Sequence, residues 1–146
     1  VELKSCSYVN DPYVIAKNKK MISINTALSV DLTGQCSSES FGFNQYSGTG
    51  GQSDTGIGAF MSEGGKSIIA LHSTAKNGTI STISTGHAPG TAISYSRNDV
   101  DYVVTEYGIA NLTGKSVRDR VKSLIKIAHP KFRDELTEFA KANNLI

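Results

Sequence analysis

The feature that most restricts the fold is a change of hydrophobic period near residue 116. From there Val117, Val121, Leu124, Ile125 and Ala128 fall at i, i+4, i+7, i+8 and i+11, with Arg118, Arg120, Lys122 and Lys126 on the rest of the surface. Ser116 followed by Asp119 reads as a capping box, and Pro130 ends this helix and serves as N1 of the next. The second stripe is Phe132, Leu136, Phe139 and Ala140. Two amphipathic helices close the chain, and each needs a surface to bury against.

That surface is predicted from the preceding residues. MISINTALSV (21–30) alternates and then becomes continuously apolar, as a strand does on passing from half-buried to buried. Residues 67–71, 92–96 and 101–107 read as further strands, and TISTISTG (79–86) is rich in β-branched residues. Residues 35–47 read as short strand or loop, and Asp31 to Gly34 as a turn. Asn10, Asp11 and Pro12 carry another turn signal. Strands followed by helices without a repeat or linker give one sheet domain with two closing helices, spanning residues 1–146 and long enough to bury a core.

Composition narrows the function. A net charge of +2, with Lys17, Lys19 and Lys20 as the only basic cluster, rules out nucleic-acid binding as the primary role; KNKK reads as a solvated turn. Cys6 and Cys36 match neither a zinc spacing nor CxxC, so they are expected to be reduced thiols of a cytoplasmic protein. No stretch approaches the roughly 18 apolar residues of a membrane span. The chain opens at Val1 rather than Met, which suggests an excised piece.

SGTGGQSDTGIGAFMSEGGKSIIAL (47–71) holds seven glycines. Glycine reaches positive φ and lets a ligand approach main-chain N–H groups, so residues 47–66 are expected to form a close-contact loop; a pair of tight turns is the simpler reading. Two GKS tripeptides suggest a P-loop, but the required earlier glycines are Phe60 and Ile109, and the first GKS runs into a predicted strand. In GxGxxG the third glycine falls on Ser53, and no helical stripe follows, which argues against a dinucleotide. His72, His87 and His129 are scattered, and Asp31, Glu39 and Asp54 form no ligand run, so no metal is expected. Ser73 lacks a GxSxG elbow.

In DYVVTEYG a period of two puts Tyr102, Val104 and Glu106 on one face, with Glu106 at the carboxyl end of a strand, where α/β sheets place ligands. Taken alone, a surface ion pair explains it equally well.

Read together, YVNDPYVIAKNKKMISINTALSVDLTGQ, SGTGGQSD, GGKSIIALHSTA, NDVDYVVTEYGIANLTGKS and LIKIAHPKFRDEL resemble the carboxy-terminal domain of the acetyl-CoA hydrolase/transferase family, which includes 4-hydroxybutyrate, butyrate and acetate CoA-transferases. The likeness runs over nearly all of residues 8–138. It implies an open CoA-transferase-like α/β domain, one of two with the active site between them. It also implies transfer of CoA between an acyl-CoA and a short-chain carboxylate through a glutamyl-CoA thioester. The family's nucleophilic Glu lies before the block matched by YVNDP, so it is expected to be absent from these 146 residues, and the chain alone is expected to be inactive. Glu39 in SSESFG does not match that nucleophile by position and is assigned to structure or substrate-side polarity.

Carried over by position, the resemblance gives the Gly51 N–H as an oxyanion donor, with Gly48 and Gly50 shaping the turn and Gln52 beside them on the CoA side. Asn10 matches a residue that hydrogen-bonds near the reacting group, and Glu106 a carboxylate that positions partners. Implied partners are acyl-CoA and a carboxylate as substrates, with no tightly bound cofactor, the amino-terminal domain of the same enzyme, and a homodimer. The sequence departs from the family at Thr55, where an aromatic is usual, at Ile57 (basic), at His72 (Pro) and at Asp101 (His). These changes bear on acyl-chain preference more than on reaction class. Two alternatives stay open: an acyl-CoA hydrolase of the same family, in which water replaces the acceptor acid, and a non-catalytic CoA or acyl-CoA binding module.

Overall fold

The computed structural model describes residues 1–146. Two short helices open the chain, α1 (Cys6–Val9) and α2 (Pro12–Ala16). Next come strands β1 (Ile22–Asn25), β2 (Ser29–Asp31) and β3 (Cys36–Ser37), then a hairpin of β4 (Ser40–Phe41) and β5 (Asn44–Gln45). Helix α3 (Gln52–Met61) leads into β6 (Lys66–Ala70), followed by the short β7 (Thr74–Ala75), β8 (Ile80–Ser81) and β9 (Ile83–Ser84). Strands β10 (Tyr102–Thr105) and β11 (Gly108–Asn111) precede helices α4 (Val117–Ile127) and α5 (Pro130–Ala142).

The main sheet has the order β1-β6-β10-β11, with the first three strands parallel and β11 antiparallel. A second sheet, β3-β2-β9, lies beside it. In register, Ser23, Ser67, Ile69, Val103, Thr105 and Ala110 share one face of the main sheet. That face is covered by α3 over β1 and β6 and by α4 over β10 and β11. The core continues through Val121, Leu124 and Ile127 to Leu136 and Ala140 of α5. The expected α/β architecture with two closing helices is observed, and the cap at α4 has the expected geometry: Ser116 Oγ accepts the Asp119 N–H at 3.2 Å and donates to the Asp119 carboxylate at 2.7 Å.

Several local expectations fail for identifiable reasons. The glycine-rich segment is not loop throughout, because residues 52–61 form α3. Its sequence shows no stripe because close packing replaces apolar bulk. A Cβ on Gly56 would sit 2.5 Å from Tyr95 Oη, and one on Gly58 would sit 2.6 Å from Ile15 Cβ. The missing apolar stripe therefore does not argue against a dinucleotide site, although the glycine mismatch at Ser53 stands. The strand expected at 92–96 is a single bridge between Tyr95 and Cys36. Tyr95 instead spans the core, its hydroxyl donating to Asp99 O at 2.8 Å and lying 3.2 Å from Ser67 Oγ. Burial pushes its phenol up to about 12, against the lowering hydrogen bond from Ser67. The strand expected over 21–30 breaks after Asn25, so the carboxyl end of β1 lies five residues earlier than the pattern suggested. The turn expected at Asn10, Asp11 and Pro12 is present, and it joins two short helices, residues 6–9 and 12–16, that the sequence reading did not anticipate.

Other expectations hold. Asp31 closes its turn by accepting from the Thr33 and Gln35 N–H groups at 2.8 and 3.0 Å. Lys17, Lys19 and Lys20 are exposed around a turn, with Lys20 at φ 56°. Cys6 is exposed and Cys36 buried, and both are free. No helix is long and apolar enough to cross a membrane.

Candidate functional site

The three parallel strands end together, and the candidate residues gather at that edge. Helix α3 follows the sheet backwards: the short turn Ser62–Gly65 joins its carboxyl end to the start of β6, so its amino end returns to the sheet's carboxyl edge. Thr55, in its first turn, fixes this placement. Its Oγ1 accepts from Ser23 Oγ at 3.1 Å and from Asn25 Nδ2 at 3.2 Å, and donates to Gly51 O at 3.0 Å.

Gly50 and Gly51 form the turn into α3. Gly50 has φ +58°, in the left-handed region open to glycine at no steric cost. Gly51 is the N-cap; having no side chain, it supplies no capping bond. Its own N–H donates to no group in the chain, and the first N–H groups of any helix lack intrahelical partners. The result is a cluster of free main-chain donors at the positive end of a helix dipole, an arrangement suited to stabilising an anionic oxygen.

Asn10 touches Gly51 directly. A Cβ on Gly51 would lie 2.6 Å from Asn10 Nδ2, so this amide side chain occupies the space that the missing side chain leaves. Asn10 is the C-cap of α1, and it is held there because Asp11 caps α2 by accepting the Tyr13 N–H at 2.8 Å. Asn10, Gly50, Gly51 and Asp54 line one side of an open cleft of about 580 Å³. Gly48 lies in open space nearby.

Glu106 lies just past β10, in a second cleft of about 370 Å³ lined by Thr26, Ala70, His72 and Val104. Its carboxylate is clamped by Ser73: the hydroxyl donates to Oε1 at 2.7 Å and the backbone N–H to Oε2 at 2.9 Å. Partial desolvation pushes the Glu106 pKa up. The Ser73 hydroxyl, the backbone N–H groups of Glu106 and Ser73, and nearby His72 outweigh it, and the net shift is downward. Glu106 is thus an oriented anion at neutral pH.

Gln52 links the two clefts. It is buried, and its Nε2 donates to Thr26 O at 3.3 Å, which places the start of α3 against a residue lining the Glu106 cleft. The structure therefore brings Asn10, Gly50 and Gly51 into contact in one cleft and sets Glu106 in the adjoining one, with Gln52 between them. Glu39 stands apart. It is buried, accepts from Gln45 Nε2 at 2.8 Å and Ser94 Oγ at 2.9 Å, and ties the β4–β5 hairpin to the chain before Tyr95. No sequence signal marks Ser73 or Thr26 as part of this region, and Thr55 stood out in sequence only as a departure bearing on acyl-chain preference. Ser73 lies 33 residues from Glu106, and no local pattern joins them.

Comparison with known proteins gives the family. The profile of the Acetyl-CoA hydrolase/transferase C-terminal domain matches residues 1–140. The succinyl-CoA:cyclohexane-1-carboxylate CoA transferase of Geobacter metallireducens is 56% identical over 146 residues, covering 100% of this chain and 33% of the relative. The 4-hydroxybutyrate coenzyme A transferase of Clostridium kluyveri is 56% identical over 142 residues, covering 97% and 33%. Among solved structures, RipA from Yersinia pestis superposes with a TM-score of 0.87 at 49% identity, over 95% of this chain and 31% of that one. The 4-hydroxybutyrate CoA-transferase of Porphyromonas gingivalis superposes with a TM-score of 0.79 at 43% identity, over 97% and 32%. The chain spans about a third of the length of these relatives. It belongs to the acetyl-CoA hydrolase/transferase family, whose C-terminal domain it carries.

Proposed function

We propose that this chain is the carboxy-terminal part of a CoA-transferase that moves CoA between an acyl-CoA and a short-chain carboxylate, and that it supplies the oxyanion turn and the positioning groups of the site. The observation that carries the reading is the free Gly51 N–H beside Asn10, at the amino end of α3. In acyl transfer, negative charge develops on the thioester oxygen, and one preorganised donor is typically worth about 10² to 10³ in rate. Gly51 donates to that oxygen, Gly48 and Gly50 give the turn its shape, Asn10 hydrogen-bonds beside the reacting carbonyl, and Gln52 fixes the loop on the CoA side. Glu106, held anionic by Ser73, positions the substrates and is not the nucleophile. The nucleophilic carboxylate, which carries CoA as a glutamyl thioester, comes from a segment outside these 146 residues. CoA enters as a substrate, and no cofactor is tightly bound.

The transferase reading is preferred to hydrolysis because the two 56%-identical relatives are named as CoA transferases. A chimera tests it: the matched third of the C. kluyveri relative is replaced by residues 1–146 of this chain. The chimera transfers CoA from an acyl-CoA to a carboxylate, and the 146-residue chain alone does not. Turnover by the chain alone, or release of free CoA with no transfer by the chimera, contradicts the proposal.

A further inference from the structure

Helix α4 runs from one edge of the main sheet to the other. At its carboxyl end Ile127 O accepts from Thr105 Oγ1, at the end of β10, at 2.6 Å. The other end of this 11-residue helix therefore lies roughly 16 Å away, at the edge opposite Glu106. There Thr33, Arg97, Asn98, Lys115, Val117 and Arg120 line a cleft of about 240 Å³. Four of these side chains are nitrogen donors and none is a carboxylate.

The cations of this cleft have no counter-charge. The ion pairs of the chain are Lys4 with Glu2 and Lys19 with Glu63, so no carboxylate comes within 4.0 Å of Arg97, Lys115 or Arg120. The acids nearby are engaged elsewhere: Asp119 accepts from Ser116 Oγ, Asp101 from Thr113 Oγ1, and Asp31 from Thr33 and Gln35. Arg120 is half-buried, and only its Nη1 is used, donating to the carbonyls of Thr33 and Arg97. Burial, and after it the neighbouring Arg97 charge, pull its pKa down from the ordinary value. Pinning two loops to α4 accounts for that one nitrogen. It does not account for Arg97 and Asn98, whose side chains donate to nothing in the chain, set beside a second guanidinium.

We propose that this cleft binds a small, doubly charged oxyanion of the phosphate type, at a site separate from acyl transfer. Two guanidinium forks match the paired oxygens of such a group, the Lys115 amine adds a point charge, and the Asn98 amide adds a neutral donor. The anion supplies the charge that the clustered cations lack. Size and lining set its class. Pockets for drug-sized ligands run to roughly 300–1,000 Å³, and this one is smaller. Val117 is its one apolar side chain, and no aromatic ring is present for a base to stack on, so the anion binds free and not as part of a nucleotide. Bound there, it joins the Asp31–Gly34 turn, the loop at Arg97 and the start of α4, and the site stands whether or not the transferase reading holds.

Inorganic phosphate, titrated against sodium chloride of equal ionic strength, tests the proposal without reference to activity. Phosphate raises the unfolding midpoint of the 146-residue chain where chloride does not, and moves the amide signals of Thr33, Gly34, Arg97, Asn98 and Lys115 to Arg120. Arg97→Gln does not lower the midpoint in chloride, because the Arg97 side chain bonds to nothing in the chain, but it weakens phosphate binding about tenfold. Arg97→Glu puts a carboxylate where the anion would sit: it raises the midpoint in chloride and abolishes the response to phosphate. If the chain alone does not fold, the same midpoints are read on the C. kluyveri chimera. Equal responses to phosphate and chloride overturn the proposal, as does a phosphate response that Arg97→Gln leaves unchanged. Amide shifts centred on Gly50 to Gln52 overturn it by moving the anion to α3. Adenosine monophosphate binding more than about tenfold tighter than phosphate makes the ligand a nucleotide, and also overturns it.

Discussion

Ser73 gives both its donors to one carboxylate, its hydroxyl to Oε1 of Glu106 at 2.7 Å and its backbone N–H to Oε2 at 2.9 Å. Such a two-point clamp fixes the carboxylate plane as well as its charge. It also spans the carboxyl ends of β6 and β10, so the anion is mounted on the sheet and not on a free loop.

The clamp predicts the titration of Glu106. A carboxylate whose folded pKa is depressed adds stability above its unfolded value and loses it as pH falls through the folded one. The Ser73 contact is therefore complete above about pH 4.3, the ordinary glutamate value, and is released only in more acidic solution. Carboxyl NMR shifts will place the Glu106 midpoint below that value. In Ser73→Ala, where the hydroxyl is gone and the N–H remains, the midpoint rises. An unchanged midpoint in the variant contradicts the assignment.

Gly51→Ala tests the Asn10 contact. The added Cβ lies 2.6 Å from Asn10 Nδ2, so Asn10 or the turn must move. Misplacement of this size at a reacting centre costs about 10²-fold in rate. We expect kcat of the chimera to fall by that order while its unfolding midpoint changes little, because the site is an open cleft. Activity within a few-fold of the parent contradicts the placement.

The glycines inside α3 answer to packing instead. Gly56→Ala drives a methyl against Tyr95 Oη, and overpacking of this kind costs about 1–3 kcal/mol, more than the roughly 1 kcal/mol gained in helix propensity. Urea unfolding will show a net loss of stability. Tyr95→Phe removes the clashing oxygen and with it the bond to Asp99 O, costing about 1–2 kcal/mol alone. Because the ring Cζ, which phenylalanine keeps, would still lie 2.7 Å from the new Cβ, the double variant recovers only part of the Gly56→Ala loss.

Thr55→Val keeps the shape of the side chain but removes the oxygen that receives Ser23 and Asn25. The expected loss is about 1 kcal/mol in urea unfolding, with backbone amide shifts concentrated at Gly51 and Gln52. Shifts confined to residues 23–25 would show that Thr55 does not position the turn.

The legible parts of this fold are those in which local pattern and tertiary role coincide. Helices α4 and α5 declare themselves because each buries most of a regular stripe, although Val117 and Phe139, expected within those stripes, stay exposed near the helix ends; Glu106 is recognisable at a strand end because β10 alternates cleanly. Helix α3 is invisible to the same reasoning. It packs so closely on Tyr95 and Ile15 that glycines occupy the positions where a stripe would show. The end of β1 was hidden because apolar residues continue past Asn25 into β2. The contacts that make the site, Asn10 with Gly51 and Ser73 with Glu106, join residues far apart in sequence. The resemblance to a known family named three of these four residues; Ser73 was found only in the structure.

The central claim is that this domain stabilises and positions an acyl intermediate whose covalent carboxylate lies elsewhere. Its most direct test is peptide mapping of the CoA thioester that accumulates when the chimera is given acyl-CoA without an acceptor acid. The account predicts the adduct on a glutamate outside residues 1–146, and weaker accumulation in Gly51→Ala. An adduct on Glu106 or Glu39 would contradict it.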